Sequence, residues 1–493
     1  MDSILAHNVA SLGPFVPELI LIATLLAVIL ADVVTKGDRI ALTAGIGVGG
    51  TTLSLLAVLY SLPYERTSLF HGMLAHDMFA VFFKLIAAIS VIIVLIVSVQ
   101  SVDVRRGTFA EYVAMMVAMA LGMYVLASAV NLLSMFLAFE LVSMTSYVLT
   151  AHQKDQLPSS EAALKYVIYS AASAATMIYG MSILFGLTGS LAASDIAVAL
   201  VGGESSLAIA VAVLFILGGI GYKIASVPFH FWCPDAYQGA PAPVAALLSV
   251  GPKAAGMAFL ARFFYEAMAI PEGLAWQPVG LADWQIVIAI ISAVTMTLGN
   301  LSAIWQRSMK RLLAYSSIAH AGYILMGVAM ISQMGLRAMM FYLAVYLFMN
   351  LGAFVVIIAL ADKFESDDID SYAGLGGRAP FVAVSMAVFL IALAGIPPTS
   401  GFIGKFYLFW AVLEANNLIW LAVIAALNTV VSLYYYARVI KQMFLVPASA
   451  GSEGKLAVSP LYTTVLALLL VPTILFGVYW WPAWRVVSAA GMP

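Results

Sequence analysis

Charge is what this sequence has least of. Asp, Glu, Lys and Arg make up 9% of its 493 residues, where a soluble domain carries roughly 25%. Hydrophobic residues make up 63% and mean hydropathy is +1.04. No water-soluble core accounts for that balance, so the chain reads as a polytopic membrane protein. Cysteine is nearly missing as well. Cys233 stands alone, which excludes an internal disulfide, a Cys-rich zinc site and a cysteine-held iron–sulfur cluster. The six histidines show no metal-ligand spacing, and with a net charge of −2 no basic run is long enough for nucleic acid. There is no P-loop, no GxGxxG in a βαβ setting and no nucleophile triad. The chain by itself therefore shows no redox or hydrolytic chemistry. Its start, MDSILAHN, lacks the basic region of a secretory signal, so the first span is expected to be retained.

Long apolar runs are what the sequence has in abundance. About 20 apolar residues cross a bilayer as a helix. Fourteen such runs are centred on 15–33, 40–61, 78–100, 110–128, 131–151, 162–188, 207–231, 240–264, 284–304, 312–332, 337–361, 380–411, 418–445 and 459–481. The polar connections are short, so no soluble domain interrupts the all-α membrane fold. Loops after odd-numbered spans hold Lys36, Arg39, Arg105, Arg106, Lys154, Arg307, Lys310, Arg311, Lys363, Arg378, Lys441 and Lys455. The other side has Arg66, Arg262, Arg337 and Arg485 near its ends. By the positive-inside rule the odd loops face the cytoplasm and both termini face the periplasm.

An internal repeat lies in the same pattern. AFELVSMTSYVL (138–149) echoes AYSSIAHAGYIL (314–325), ALKYVIY (163–169) echoes GLRAMMF (335–341), and AVLFILGGIGYK (212–223) echoes AVFLIALAGIPP (387–398). Continuing the last register sets His230 against Lys405. The unit spans five helices, the fourth to eighth and then the ninth to thirteenth. An odd number makes the second copy enter from the opposite side, giving two inverted repeats. The expected division is 1–109 as an N-terminal three-helix segment, 110–265 and 284–445 as the repeats, and 446–493 as a C-terminal helix.

Against this background the charges inside spans carry information. Lys84, Lys165, Lys223, Lys253 and Lys405 fall within apolar runs, and Glu140 is the clearest mid-span acid. A central charge costs at least roughly 2.5–3.5 kcal/mol, so such groups pair or face a hydrated interior. Lys84 is within snorkelling reach of the interface, and Lys165 reads equally as a loop cation or a partner of Glu161. Glu140, Lys223 and Lys253 are too central for that. Helix breakers accompany them: Pro228 after Lys223, Pro252 before Lys253, and Pro397 and Pro398 before Lys405, so the seventh and twelfth spans are expected to be broken. A lysine in water titrates near 10.4; burial favours its neutral form, and a nearby carboxylate its charged form. Lys223 and Glu140 are composed for such a switch, with Lys253 and Lys405 continuing the path. Lys165, His230, His320, Tyr315, Ser316, Thr399 and Ser400 are candidate relays, although His230 and His320 also fit as satisfied pocket histidines. Met and aromatic residues at helical spacing read as packing.

PFHFWCPDAYQGAPAPVAALLSVGPKAA (228–255), YSSIAHAGY (315–323) and GIPPTSGFIGK (395–405) closely resemble the antiporter-like subunits of respiratory complex I, which are related to subunits of sodium/proton antiporters. The similarity spans residues 110–445. DAYQGAPAP, YYYARV (434–439) and the lysine at Lys405 resemble the branch called subunit N or subunit 2. The resemblance implies proton-translocating roles for Glu140, Lys223, Lys253 and Lys405, and a further lysine at Lys165. It also implies a bacterial cytoplasmic membrane, with other antiporter-like and small membrane-arm subunits as partners. FMN, iron–sulfur clusters, NADH and quinone are then expected in partner subunits and none in this chain. The competing readings are a cation/proton antiporter subunit, with the same fold and lysines but no redox drive, and a scaffold whose ion pairs only hold helices together.

Overall fold

Most of the apolar runs fold here as single long helices, whereas the runs holding Pro228 and Pro397-Pro398 are interrupted there. The computed structural model describes residues 2–35, 37, 39–201, 207–272, 275–279, 283–361, 363–364, 366–415, 418–448 and 454–491, and Lys36 of the loop cations lies outside them. A short α1 (Asp2–Leu12) precedes α2 (Val16–Val34), α3 (Ile40–Tyr60) and α4 (Met78–Ser98). The first repeat follows as α5 (Phe109–Ser128), α6 (Leu132–Thr150), α7 (Leu157–Thr188), a short α8 (Ala193–Leu200), α9 (Leu207–Ile224), α10 (Trp232–Gly239) and α11 (Ala242–Arg262). The second holds α12 (Trp284–Ile304), α13 (Met309–Ala329), α14 (Gln333–Leu360), α15 (Leu375–Arg378), α16 (Pro380–Ala394), α17 (Ser400–Ala415) and α18 (Ile419–Leu445). The chain closes with α19 (Pro460–Val478) and α20 (Trp481–Ala489).

Among the described residues thirteen helices are long and apolar enough to cross a membrane. The remaining expected span, 380–411, is divided into α16 and α17. The two halves repeat one packing plan: α5 lies on α6, α6 on α7, α7 on both α9 and α10, and α9 on α11. In the same order α12 lies on α13, α13 on α14, α14 on both α16 and α17, and α16 on α18.

Every residue of α11 is buried, and its Ala- and Gly-rich sequence lets α4, α5, α9 and α14 close around it. Large apolar side chains point outward from the peripheral helices instead, among them Leu30, Leu164, Val430 and Leu468, as a lipid-facing surface requires. Pro252 does not break its helix, contrary to expectation: α11 runs through it. Protein encloses α11 on all sides, and packed neighbours let a membrane helix tolerate one missing N–H.

At the cation-poor end two small hairpins cover the helix ends. β1 (Thr67–Leu69) pairs with β2 (Leu74–His76), and β3 (Ala269–Glu272) with β4 (Ala275–Pro278). Leu74 also bridges to Ala129, and Asn131 to Ala192, so successive loops of this end are tied together. Strands of three or four residues are too short to show an alternating pattern in sequence.

Candidate functional site

Both expected interruptions are present, and each leaves polar backbone at membrane depth. α9 stops at Ile224 and α10 begins at Trp232, with Pro228 between them. Proline has no N–H to continue the ladder. The exposed backbone is taken up locally: Ser226 N–H donates to Gly221 O at 2.8 Å, and the Trp232 indole N–H to Tyr222 O at 2.9 Å. Val227 N–H donates to Thr295 Oγ1 of the second repeat at 3.0 Å. α16 stops at Ala394 before Pro397 and Pro398. In a continuous helix the N–H of residue 398 would reach Ala394 O; Pro398 has none, and Lys405 Nζ donates to that carbonyl instead, at 2.9 Å. The cation thus sits at the negative end of α16.

Lys223, Lys253 and Lys405 share one type of surrounding. Lys223 Nζ donates to Ser143 Oγ at 2.9 Å and lies 5.3 Å from the Phe139 ring. Lys253 donates to Ser317, approaches Cys233 Sγ at 3.9 Å and lies 5.5 Å from the Tyr237 ring. Lys405 adds Thr429 Oγ1 at 3.5 Å and lies 4.5 Å from the Tyr323 ring. All three are buried, and among the described residues none has a carboxylate within ion-pair distance. A hydroxyl and a ring face solvate each ammonium.

The space between Lys253 and Lys405 is bridged by one face of α13. Ser316, His320 and Tyr323 recur at helical spacing. Ser316 and Tyr436 share a hydrogen bond of 2.5 Å, and His320 meets Tyr342 at 2.7 Å and Tyr436 at 3.2 Å. Tyr323 and Thr429 share one of 3.2 Å. Ser317, next to the expected Ser316, is the residue that receives Lys253.

Other expected residues lie off this line. Glu140 is on α6, one turn before Ser143, and acts on Lys223 through space without an ion pair; its Oε1 is buried with no hydrogen-bond partner. Lys165, with a side chain 42% exposed, pairs with Glu161 at 2.7 Å and Asp235 at 2.9 Å. Arg311 takes the other Asp235 oxygen at 2.7 Å. Thr399 Oγ1 donates to Ile396 O at 2.7 Å inside the break, whereas Ser400 Oγ has no partner among the described residues. Tyr315 packs half-buried against the apolar core. His230 stacks near Phe231 in the first break, ahead of α10, while Lys405 is the sixth residue of α17. The two are therefore not equivalent, because the breaks differ in length (225–231 against 395–399) and the sequence register drifts there.

Lys84 does not reach the interface. It is 3% exposed and bound to Glu18 Oε1 at 2.5 Å. The signal was an acid in the first turn of α2, which sequence reading passed over because it lies so close to that span's start.

The geometry has the parts of a buried proton path, and comparison with known proteins gives it a family. Residues 129–432 match the family model described as NADH:quinone oxidoreductase/Mrp antiporter, TM. The chain belongs to that family. The NADH-quinone oxidoreductase subunit N 2 of Chloroherpeton thalassium is 44% identical over 473 residues, covering 95% of this chain and 92% of that protein. Subunit N of an Anaeromyxobacter species is 42% identical, covering 98% and 97%. Among solved structures, a chain of respiratory complex I from Thermus thermophilus superposes with a TM-score of 0.78 at 29% identity, covering 97% of this chain and 100% of that one. A chain of the Mrp complex from a Dietzia species matches at TM-score 0.84 and 19% identity, covering 97% of each, and so shares the fold. As a member of the NADH:quinone oxidoreductase/Mrp antiporter family, the chain sets its buried lysines beside broken helices.

Proposed function

We propose that this chain is a proton-translocating membrane subunit of NADH:quinone oxidoreductase, with Glu140, Lys223, Lys253 and Lys405 carrying the protons. Electron transfer, with its FMN, iron–sulfur clusters, NADH and quinone, belongs to partner subunits in this reading. The whole-length likeness to proteins named subunit N supports it over the antiporter alternative. The observation that carries it is the shared surrounding of the three lysines. A hydroxyl accepts from an ammonium and, after rotating, donates to the lone pair of an amine, whereas a carboxylate only accepts and favours the charged form. Ser143, Ser317 and Thr429 therefore accommodate both states of the lysine each one faces.

Glu140 sets the field at Lys223: an approaching carboxylate favours the ammonium, and its neutralisation favours release. His320, between the phenols of Tyr342 and Tyr436, can be presented with a donor or an acceptor on either nitrogen. The path crosses from the first repeat to the second at Lys253 and Ser317. The same reading keeps the division 1–109, 110–265, 284–445 and 446–493. It sets the cation-rich loops in the bacterial cytoplasm, both termini on the periplasmic side, and membrane-arm neighbours along the apolar flanks.

The test is the complex purified from native membranes and returned to vesicles. Glu140→Gln and Lys253→Ala are expected to assemble fully and to lower NADH-driven proton uptake about twofold or more, each removing a group on which a proton step depends. A complex lacking redox subunits would favour the antiporter. Wild-type uptake by both fully assembled variants would sink the assignment.

A further inference from the structure

A second cluster of buried charge, unused by the path above, lies between the membrane interior and the cation-poor end. Glu18 on α2 is 1% exposed and binds Lys84 on α4, while its other oxygen, Oε2, has no hydrogen-bond partner among the described residues. Lys84 lies 5.8 Å from the ring of Tyr124, whose hydroxyl receives Ser54 Oγ at 3.5 Å. Six residues into α4 from its start, Lys84 is about 9 Å below the helix end. α4 packs directly on α11, the helix of Lys253.

His76 closes the cluster from the β2 side. It is buried, and its Nε2 lies 2.8 Å from Ser61 O. A carbonyl only accepts, so Nε2 carries the proton and Nδ1 holds a bare lone pair. Nδ1 is buried without a partner among the described residues. The charges acting on His76 are Lys84, Glu18 and its neighbour Asp77, with Lys84 lowering its proton affinity and the two acids raising it. Burial first, and Lys84 next, hold the imidazole below the ordinary histidine value, so it is neutral and able to accept.

Beyond His76 the polar line continues. Asp77 Oδ2 faces Arg66 Nε at 3.9 Å, and Arg66 binds Glu266 at 2.7 Å. Arg66 and Glu266 line a cavity of about 470 Å³ with Ala75, Tyr265 and Trp276. Three carboxylates (Glu18, Asp77, Glu266) match three cations (Lys84, Arg262, Arg66) in contacts of 2.5–2.7 Å. Among the described residues His76 is the one titratable group of the cluster outside these ion pairs.

We propose that Glu18, Lys84 and His76 form a second proton-relay station, which opens through the cavity beside Arg66 and Glu266 to the cation-poor face. It rests on the proton-translocating reading. A proton from the interior binds Glu18 Oε2 while Lys84 keeps its own. Glu18 Oε2 and His76 Nδ1 share no direct hydrogen bond, so the Oε2–H proton then crosses through intervening water to the Nδ1 lone pair, restoring the carboxylate and forming the imidazolium. The imidazolium releases that proton through water toward the cavity, whose wall begins at the neighbouring Ala75, and Nε2–H stays on Ser61 O. One proton enters, one leaves, and every group ends as it began.

The experiment uses the whole complex in vesicles and reads protons moved per NADH oxidised beside the amount of assembled complex. Glu18→Gln and His76→Gln should assemble and should oxidise NADH at the wild-type rate in uncoupled vesicles. Their proton yield should fall about twofold, since each lacks a group that takes and gives a proton. His76→Gln keeps an amide donor for Ser61. If Glu18→Gln fails to assemble because Lys84 is left unpaired, the double variant Glu18→Gln/Lys84→Met removes both charges and should assemble with the same low yield. An assembled double variant and an assembled His76→Gln with wild-type yield would overturn the relay. Loss of yield in Lys253→Ala alone would then leave the main path standing, whereas normal yield in Lys253→Ala as well would remove both.

Discussion

Replacing Arg262 by methionine is expected to destabilise the protein by about 3–5 kcal/mol, the usual result of removing one side of a buried ion pair. Arg262 is fully buried. Its guanidinium holds Asp77 Oδ1 at 2.6 Å and Glu266 Oε1 at 2.5 Å, and it lies 4.6 Å from the Phe79 ring. Asp77 also caps α4, accepting from Ala80 N–H at 2.8 Å. Without the arginine, two carboxylates remain in an apolar setting with Arg66 reaching them only from one side. The purified complex should lose this subunit or melt at lower temperature. Neutralising the partners as well, in Arg262→Met/Asp77→Asn/Glu266→Gln, should recover much of the loss; a triple variant weaker than the single one would refute this account. The pair also has a pH signature. Burial alone would raise the Asp77 carboxyl, but the Arg262 charge and hydrogen bonds hold it below the usual aspartate value. Its stabilisation is therefore present above the unfolded aspartate value and is lost as pH falls through the lower folded one.

Gly395→Val should disable Lys405 while leaving the lysine in place. Gly395 has φ +83°, a region that a β-branched residue adopts only as an outlier. A Cβ there would stand 2.8 Å from Lys405 Cδ and 3.3 Å from its Nζ. The strain costs about 1–3 kcal/mol, and the ammonium is pushed off Ala394 O. NADH-driven proton uptake should drop to the level of Lys405→Ala, with Gly395→Ala between the two. Adding Gly395→Val to Lys405→Ala should lower uptake no further, since both act through one contact. An additive loss would show that Gly395 matters only for folding.

What could be read from the sequence divides by distance along the chain. The broken seventh and twelfth spans were legible because their signal is local: proline cannot donate, and GIPPTSGFIG puts five Gly and Pro residues together. Ser316 and His320 were legible as polar groups inside an apolar run, whereas Tyr323, on the same face of α13, was passed over and Tyr315 packs instead against the apolar core. Partners were not. Arg262 counted as an end cation because Asp77 is 185 residues away, and Lys84 looked like an interfacial lysine because nothing near it announces Glu18. Pro252 misled for the opposite reason: its local meaning is a break, but the packing around α11 overrides it. The choice of Ser317 over Ser316 for Lys253 depends on how α11 meets α13, which no single helix encodes.

The hydrogen bond from Val227 to Thr295 Oγ1 makes the first repeat's fold depend on the second's sequence. The break in the first copy is finished by a side chain that only the second copy supplies. The two repeats can therefore not be exchanged independently. A hybrid that joins the first repeat of this chain to the second of a relative inherits an interrupted helix and, unless the relative has a hydroxyl at the position of Thr295, no partner for its exposed N–H. Recombination between relatives should leave crossover points that keep both positions from one parent.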